Sequence, residues 1–539
     1  MNYADLFRAT LPETALEVAA LLVLVVDLGL LRKAMLRVRV AVAALLGVAG
    51  CGAAFWTIPF TVMGLRLNES GKQILFGGLP FNEPGAELLR GFLGYTGVAE
   101  TGILVLTALT LLLLIDSTFT RHVGEYVAVV LMAAAGGLLV AAAQDLLVIF
   151  IGLELLSLGL YILTAFAKSS GKSAEAAIKY YLFGGMSAAF LLFGFSYFYG
   201  LSGSTNLHEI QRVIAVSGPS PLFYVAWILV VAGLGFKVAA VPFHLWAPDT
   251  YEGAPAPAAA FIASVSKVAS FALLLTISLG WLLPGEGEFY TRGANEVYLQ
   301  QVYRTWPQLA TILLVVSGAS MVVGNLAALA QVSVRRLLAY SAIAHAGYIL
   351  LGVAVHPIYT GQGNAFDFFM SAQGAPFESA NAVLYYVLTY GLTTIGAFGV
   401  VDVVQRATGS DRFDAFLGLH KRNPVLAAVL LVLFLSLAGI PPLVGFWAKF
   451  NLFAEVLGAQ AGVIPFALVA LAVGLSAVSL YYYLQVLKRA YVMPAIEATP
   501  IKAHPVTLAV LVGIAATVVV LGCFPALLQG WIESFYPVI

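Results

Sequence analysis

Apolar residues in this chain come in runs of about twenty, and that spacing limits the fold more than any other feature. At the ~1.5 Å rise of a helix, about 20 residues cross the ~30 Å hydrocarbon layer of a bilayer. Runs of this kind lie at roughly 13–31, 41–63, 98–115, 125–143, 146–166, 175–199, 222–246, 256–283, 307–330, 337–355, 381–404, 424–456, 463–487 and 505–528. They predict an all-α polytopic membrane protein of about 14 transmembrane helices. The chain is 61% hydrophobic and 10% charged, whereas soluble domains run near half apolar and about a quarter charged. Only Arg8 precedes the first run, which itself carries Glu13, Glu17 and Asp27. That run reads as a retained helix and not as a signal peptide.

The basic residues give an orientation. Loops after predicted helices 1, 3, 5, 7, 9, 11 and 13 hold sixteen of the 27 lysines and arginines, among them Arg32, Lys168, Arg335, Arg336, Lys421 and Arg489. The N-terminus and the remaining loops hold seven: Arg8, Arg66, Lys72, Arg90, Arg212, Arg292 and Arg304. The positive-inside rule puts the richer set in the cytoplasm and both termini outside. Acidic residues also number 27, so no net basic charge points to nucleic acid. Cys51 and Cys523 sit far apart in apolar runs, without metal-ligand or disulfide spacing. The sequence has no strand–helix G-x-G-x-x-G turn, no P-loop and no cysteine cluster, so nothing in it points to redox chemistry; in an electron-transfer enzyme the electrons would travel through other subunits.

Four lysines remain, all inside predicted helices: Lys179, Lys237, Lys267 and Lys449. A charge at the bilayer centre costs about 2.5–3.5 kcal/mol on insertion scales, so each needs a reason. Lys179 is near a helix end and reads either as a snorkelling side chain or as a site residue. Lys267 lies too deep to snorkel, and Ser264 and Ser270 at i−3 and i+3 share its face. Lys237 and Lys449 flank two interruptions, at Pro242 and at Gly439-Ile440-Pro441-Pro442. Proline removes a backbone donor, and in lipid the freed groups must be met by protein or a wet cavity.

Glu154 is the buried acid to match, with Ser157 and Tyr161 along its face. It reads either as a structural counter-ion or as the group whose distance from Lys237 decides whether that lysine keeps its proton. A lysine can pass a proton on where an arginine cannot. His345 reads either as a satisfied hydrogen-bonding residue or as a relay, with Ser341 at i−4.

These residues carry a resemblance. Gln144-Asp145-Leu146-Leu147 through Gly152-Leu153-Glu154-Leu155, Gly235-Phe236-Lys237, and Pro242-Phe243-His244-Leu245-Trp246-Ala247-Pro248-Asp249 stand in one order with Tyr251-Glu252-Gly253-Ala254-Pro255. Arg336-Leu337-Leu338-Ala339-Tyr340-Ser341 and Gly439-Ile440-Pro441-Pro442 follow. Over about residues 100–490 the chain resembles the antiporter-like subunits of NADH–quinone oxidoreductase (respiratory complex I) and of multi-subunit cation/proton antiporters. Lys179-Tyr180-Tyr181 and Trp447-Ala448-Lys449 look like the N-type branch, since the M-type branch typically has a glutamate where Lys449 stands. The segments near 66–97 and 357–380 fit the family pattern less well.

The resemblance implies two inverted five-helix repeats, predicted helices 4–8 and 9–13, with helices 7 and 12 broken. It divides the single membrane domain into 1–120, 121–283, 305–490 and 500–539. It implies proton translocation in a bacterial inner membrane, with Glu154 and Lys237 as coupling pair, Lys267 as central relay, Lys449 as terminal site and His345 as connector. NADH, FMN, iron–sulfur clusters and quinone would belong to other subunits, and no cofactor to this chain. The implied partners are neighbouring antiporter-like membrane subunits and the lipid bilayer. The alternative is a cation/proton antiporter subunit without redox coupling.

Overall fold

The structure, a computed structural model, describes residues 10–60, 86–116, 119–280, 292–355, 375–459, 462–495 and 499–535. The segments near 66–97 and 357–380, with Arg8, Arg66 and Lys72, lie wholly or largely outside the described residues.

Among the described residues the chain is helical, without named strands. The helices are α1 (Leu11–Val25), α2 (Leu36–Phe60), α3 (Ala86–Leu113), α4 (Val123–Ala142), α5 (Leu146–Thr164) and α6 (Gly171–Ser202). Next come α7a (Pro221–Val238), α7b (Trp246–Gly253), α8 (Ala256–Gly280), α9 (Arg292–Leu329), α10 (Val334–Ala354) and α11 (Ala375–Thr408). The chain continues through α12a (Pro424–Ala438), α12b (Val444–Gly458), α13 (Val463–Tyr491), α14 (Pro505–Cys523) and α15 (Ala526–Ser534). Twelve of the described helices are long and apolar enough to cross a membrane. The predicted runs 13–31 and 424–456 are each divided.

The first division is a π-helical turn, Val26–Leu30, that continues α1. It holds Asp27, which is buried and accepts from Nε and Nη2 of Arg39, both at 2.7 Å, and from the Gly124 amide at 3.1 Å. A wide turn at such a residue re-aims its side chain. Here it brings the carboxylate to the N-terminus of α4, where His122 provides no capping side chain.

The helix starts follow from capping chemistry. Asp145 accepts from Leu147 N at 2.8 Å, and Asn423 precedes Pro424 and accepts from Leu426 N at 3.0 Å. Both breaks, at 239–245 and 439–443, begin with the same C-terminal motif. Ala239 N reaches Phe236 O at 3.0 Å and Ala240 N reaches Gly235 O at 2.7 Å. Gly439 N reaches Ser436 O at 2.9 Å and Ile440 N reaches Leu435 O at 3.0 Å. The left-handed residue is Ala239 (φ 60°) in one break and Gly439 (φ 89°) in the other. The peptide bonds Val241–Pro242 and Pro441–Pro442 are cis.

Two isolated β-bridges tie loops together, Asp145 to Asn206 and Ser333 to Arg412. Each joins the residue before the second helix of a five-helix group to the segment after the third. Leu146 N to Thr205 O matches Val334 N to Asp411 O, both 2.9 Å. The helices at the centre are α8, wholly buried along its described span, with α10 and α11 nearly so. By contrast α6, α13 and α14 turn most of their surface outward, as expected of helices facing lipid or a neighbouring subunit.

Candidate proton-handling site

The three deep lysines are all buried, Lys237 at 6%, Lys267 at 2% and Lys449 at 6% exposure. Among the described residues each ammonium finds oxygen or an aromatic face instead of a carboxylate.

Lys237 occupies the last turn of α7a, where the helix dipole favours a cation. Its ammonium donates to the Ser157 hydroxyl on α5. Glu154, one turn earlier on α5, is half-buried. Among the described residues no ion pair joins Glu154 to Lys237, although the carboxylate lies within electrostatic range of the ammonium.

Lys267 projects from α8 and donates to the Ala342 carbonyl inside α10. A helical carbonyl keeps a second lone pair for such a bond. The ammonium also lies 5.4 Å from the ring centre of Tyr390. Ser264 and Ser270 donate to Ala260 O and Ser266 O of their own helix, at 2.7 and 2.8 Å. The polar stripe read from spacing thus does not solvate the lysine.

Lys449, on α12b, donates at 3.0 Å to the carbonyl of Ala438, the last residue of α12a, and lies 5.3 Å from the Tyr348 ring centre. Carbonyls of a helix's last turn lack an intrahelical donor and sit at its negative end. The break therefore makes the cation site: an unbroken helix would have used that carbonyl itself.

His345 lies between the second and third lysines. Its Nδ1 is 2.9 Å from the Tyr386 hydroxyl, and its ring centre is 4.8 Å from that of Tyr390 and 5.7 Å from that of Tyr348. Ala342, His345 and Tyr348 recur every three residues along α10, so one helix face serves Lys267, the imidazole and Lys449 in turn. A cavity of about 10 Å³ is lined by His345, Tyr386, Tyr390, Ser436 and Gly445, room for about one water. Ser341, expected beside His345, instead bonds Tyr483.

Lys179 is apart from this line. It is partly exposed and paired at 2.7 Å with both Glu175 and Asp249. Sequence reasoning missed the tyrosines of α10 and α11, because single aromatic residues in an apolar helix look like packing. It also missed the two backbone carbonyls, which no side-chain pattern can reveal.

Comparison with known proteins shows the family. Residues 143–284 and 297–476 match the family model described as NADH:quinone oxidoreductase/Mrp antiporter, TM. The chain belongs to the NADH:quinone oxidoreductase/Mrp antiporter membrane family. Within this family the chain is 45% identical to a protein of Acidobacterium capsulatum named NADH-quinone oxidoreductase subunit N 2, over 99% of both chains. A subunit N 1 of Roseiflexus castenholzii is 38% identical, over 86% of this chain and 83% of its own. Among solved structures, a chain of respiratory complex I from Thermus thermophilus with bound aureothin is 32% identical, with a TM-score of 0.70 over 96% of this chain and 98% of that one. A chain of the Mrp complex from Dietzia shares the fold, at 20% identity and a TM-score of 0.74 over 98% of this chain and 97% of its own.

Proposed function

We propose that the chain is the proton-translocating subunit N of a bacterial NADH–quinone oxidoreductase, itself carrying no redox centre. Its work is to move protons while other subunits, holding NADH, FMN, iron–sulfur clusters and quinone, move electrons. The observation that carries this reading is the placing of Lys267, His345 and Lys449 along one face of α10, each with an oxygen or ring partner and none, among the described residues, with a carboxylate within ion-pairing distance. An ammonium held by neutral groups is not locked in its charged form, so it can release and regain a proton as the local field changes. Glu154 and Lys237 form the coupling pair, and approach of the half-buried carboxylate would favour the charged lysine. The proton then passes by way of Lys267 and His345 to Lys449.

The two five-helix groups act as inverted repeats. Their matching bridges support this, because alternate crossing from α4 to α11 puts the Asp145 bridge and the Ser333 bridge on opposite membrane faces. The sixteen basic loop residues assign the face of Ser333 to the cytoplasm. Lys267→Ala and Lys449→Ala, introduced into the assembled complex, should each lower the protons moved per NADH oxidised in inside-out vesicles. A wild-type ratio in both would overturn the relay. Isolation in mild detergent should recover flavin and iron–sulfur subunits with the chain, and their absence would favour an antiporter without redox coupling.

A further inference from the structure

At the cytoplasmic end, short α7b carries Asp249 and Glu252, one turn apart on one face. Arg336, in the first turn of α10, donates to both, at 2.7 Å to Asp249 and 3.1 Å to Glu252. From the other side, Lys179 and Lys172 of α6 reach the same carboxylates at 2.7 and 3.0 Å. The helix after the first break is thus held between α6 of its own repeat and α10 of the other. Two further bonds from the second repeat reach the same region: Ser320 of α9 accepts from Val241 N inside the break at 2.9 Å, and Arg335 donates to the Ala254 carbonyl just past α7b. Trp246, the first residue of α7b, donates to Phe236 O beside Lys237 at 3.0 Å, which ties α7b back to the lysine.

Arg336 also starts the helix that serves the other sites. Ala342, which receives Lys267, is six residues on, about 9 Å along the axis, and Tyr348 beneath Lys449 is twelve residues on, about 18 Å. A buried helix shifts as a unit more readily than it deforms.

We propose that Arg336 is a positioning residue whose two-carboxylate bridge ties the first broken helix to α10, so that a rearrangement at Lys237 changes the carbonyl and ring that hold Lys267 and Lys449. This rests on the proton-translocating reading above. One nitrogen of the guanidinium, Nη1, donates to both carboxylates, and the group stays charged at any physiological pH, so the bridge keeps its charge when neighbouring groups exchange protons.

The test uses the assembled complex in inside-out vesicles, with complex content measured separately. Arg336→Gln and Asp249→Asn should each lower the protons moved per NADH oxidised, while electron transfer to a soluble acceptor stays at the wild-type rate. Arg336→Lys should recover part of the ratio, and the double variant should be no worse than the poorer single one, as expected for residues acting as one unit. A residue that only aids assembly would reduce the amount of complex and leave the ratio of the remainder unchanged, which overturns the proposal. So does a double variant whose losses multiply. Should Arg336→Gln not assemble, Asp249→Asn and Glu252→Gln are read in the same way. If Lys267→Ala lowers the ratio and these variants do not, only this inference fails; if Lys267→Ala does not, the function itself is misassigned.

Discussion

Lys449 shows how one residue depends on its neighbour's backbone. A Cβ added to Gly439 would lie 3.1 Å from Lys449 Cδ and 3.3 Å from its Nζ. The positive φ there adds a cost of about 1–2 kcal/mol for a residue with a side chain. Gly439→Ala should therefore displace the ammonium from the Ala438 carbonyl and lower proton movement per NADH, read by dye quenching in vesicles. Tyr386 offers a cleaner comparison. Its hydroxyl meets His345, whereas the neighbouring Tyr385 hydroxyl is buried without a partner among the described residues. Tyr386→Phe removes a hydrogen bond of about 1 kcal/mol and should slow proton movement, while Tyr385→Phe should leave it unchanged. If both behave alike, His345 is not on the route. The lysines and His345 were legible because their burial is costly in any apolar helix. Their partners were not, because Ala342 and Ala438 act through backbone oxygens.

Among elements, the second break depends on close backbone contact with α14. A Cβ at Gly522 would lie 2.1 Å from the Pro442 carbonyl oxygen and 2.7 Å from Leu443 Cα, and neither is a side chain that can swing aside. The Gly522 carbonyl also accepts from Trp447 Nε1 at 2.8 Å, which anchors the start of α12b. Gly522→Ala should destabilise by about 1–3 kcal/mol, the usual range for overpacking, and lower the thermal midpoint of the solubilised complex. Gly513→Ala on the same helix meets nothing within 4 Å and serves as the neutral control. Both broken helices could be read from proline and glycine, since those residues act locally. The division of α1 could not, because it depends on Asp27 reaching Arg39 and the N-terminus of α4.

At the scale of the whole molecule, orientation is the property to test. In a Cys51→Ala/Cys523→Ala background, Lys421→Cys should react with a membrane-impermeant maleimide in inside-out vesicles. Ser217→Cys should react in right-side-out spheroplasts. Both positions are exposed in the structure, and the reverse pattern would invert the proposed topology.

What the sequence determined by itself is whatever the bilayer imposes on each segment independently. Length and polarity made the apolar runs into helices, prolines placed the two breaks, and the price of burying charge singled out Lys237, Lys267 and Lys449. Tertiary structure alone decided what those charges face. Whether Lys237 meets Ser157 or Glu154, whether Lys267 finds its own serines or the Ala342 carbonyl, and whether Arg336 bridges two carboxylates of α7b all turn on how helices far apart in the chain are packed. Insertion energetics act segment by segment, whereas the partner of a buried charge is chosen by packing among helices.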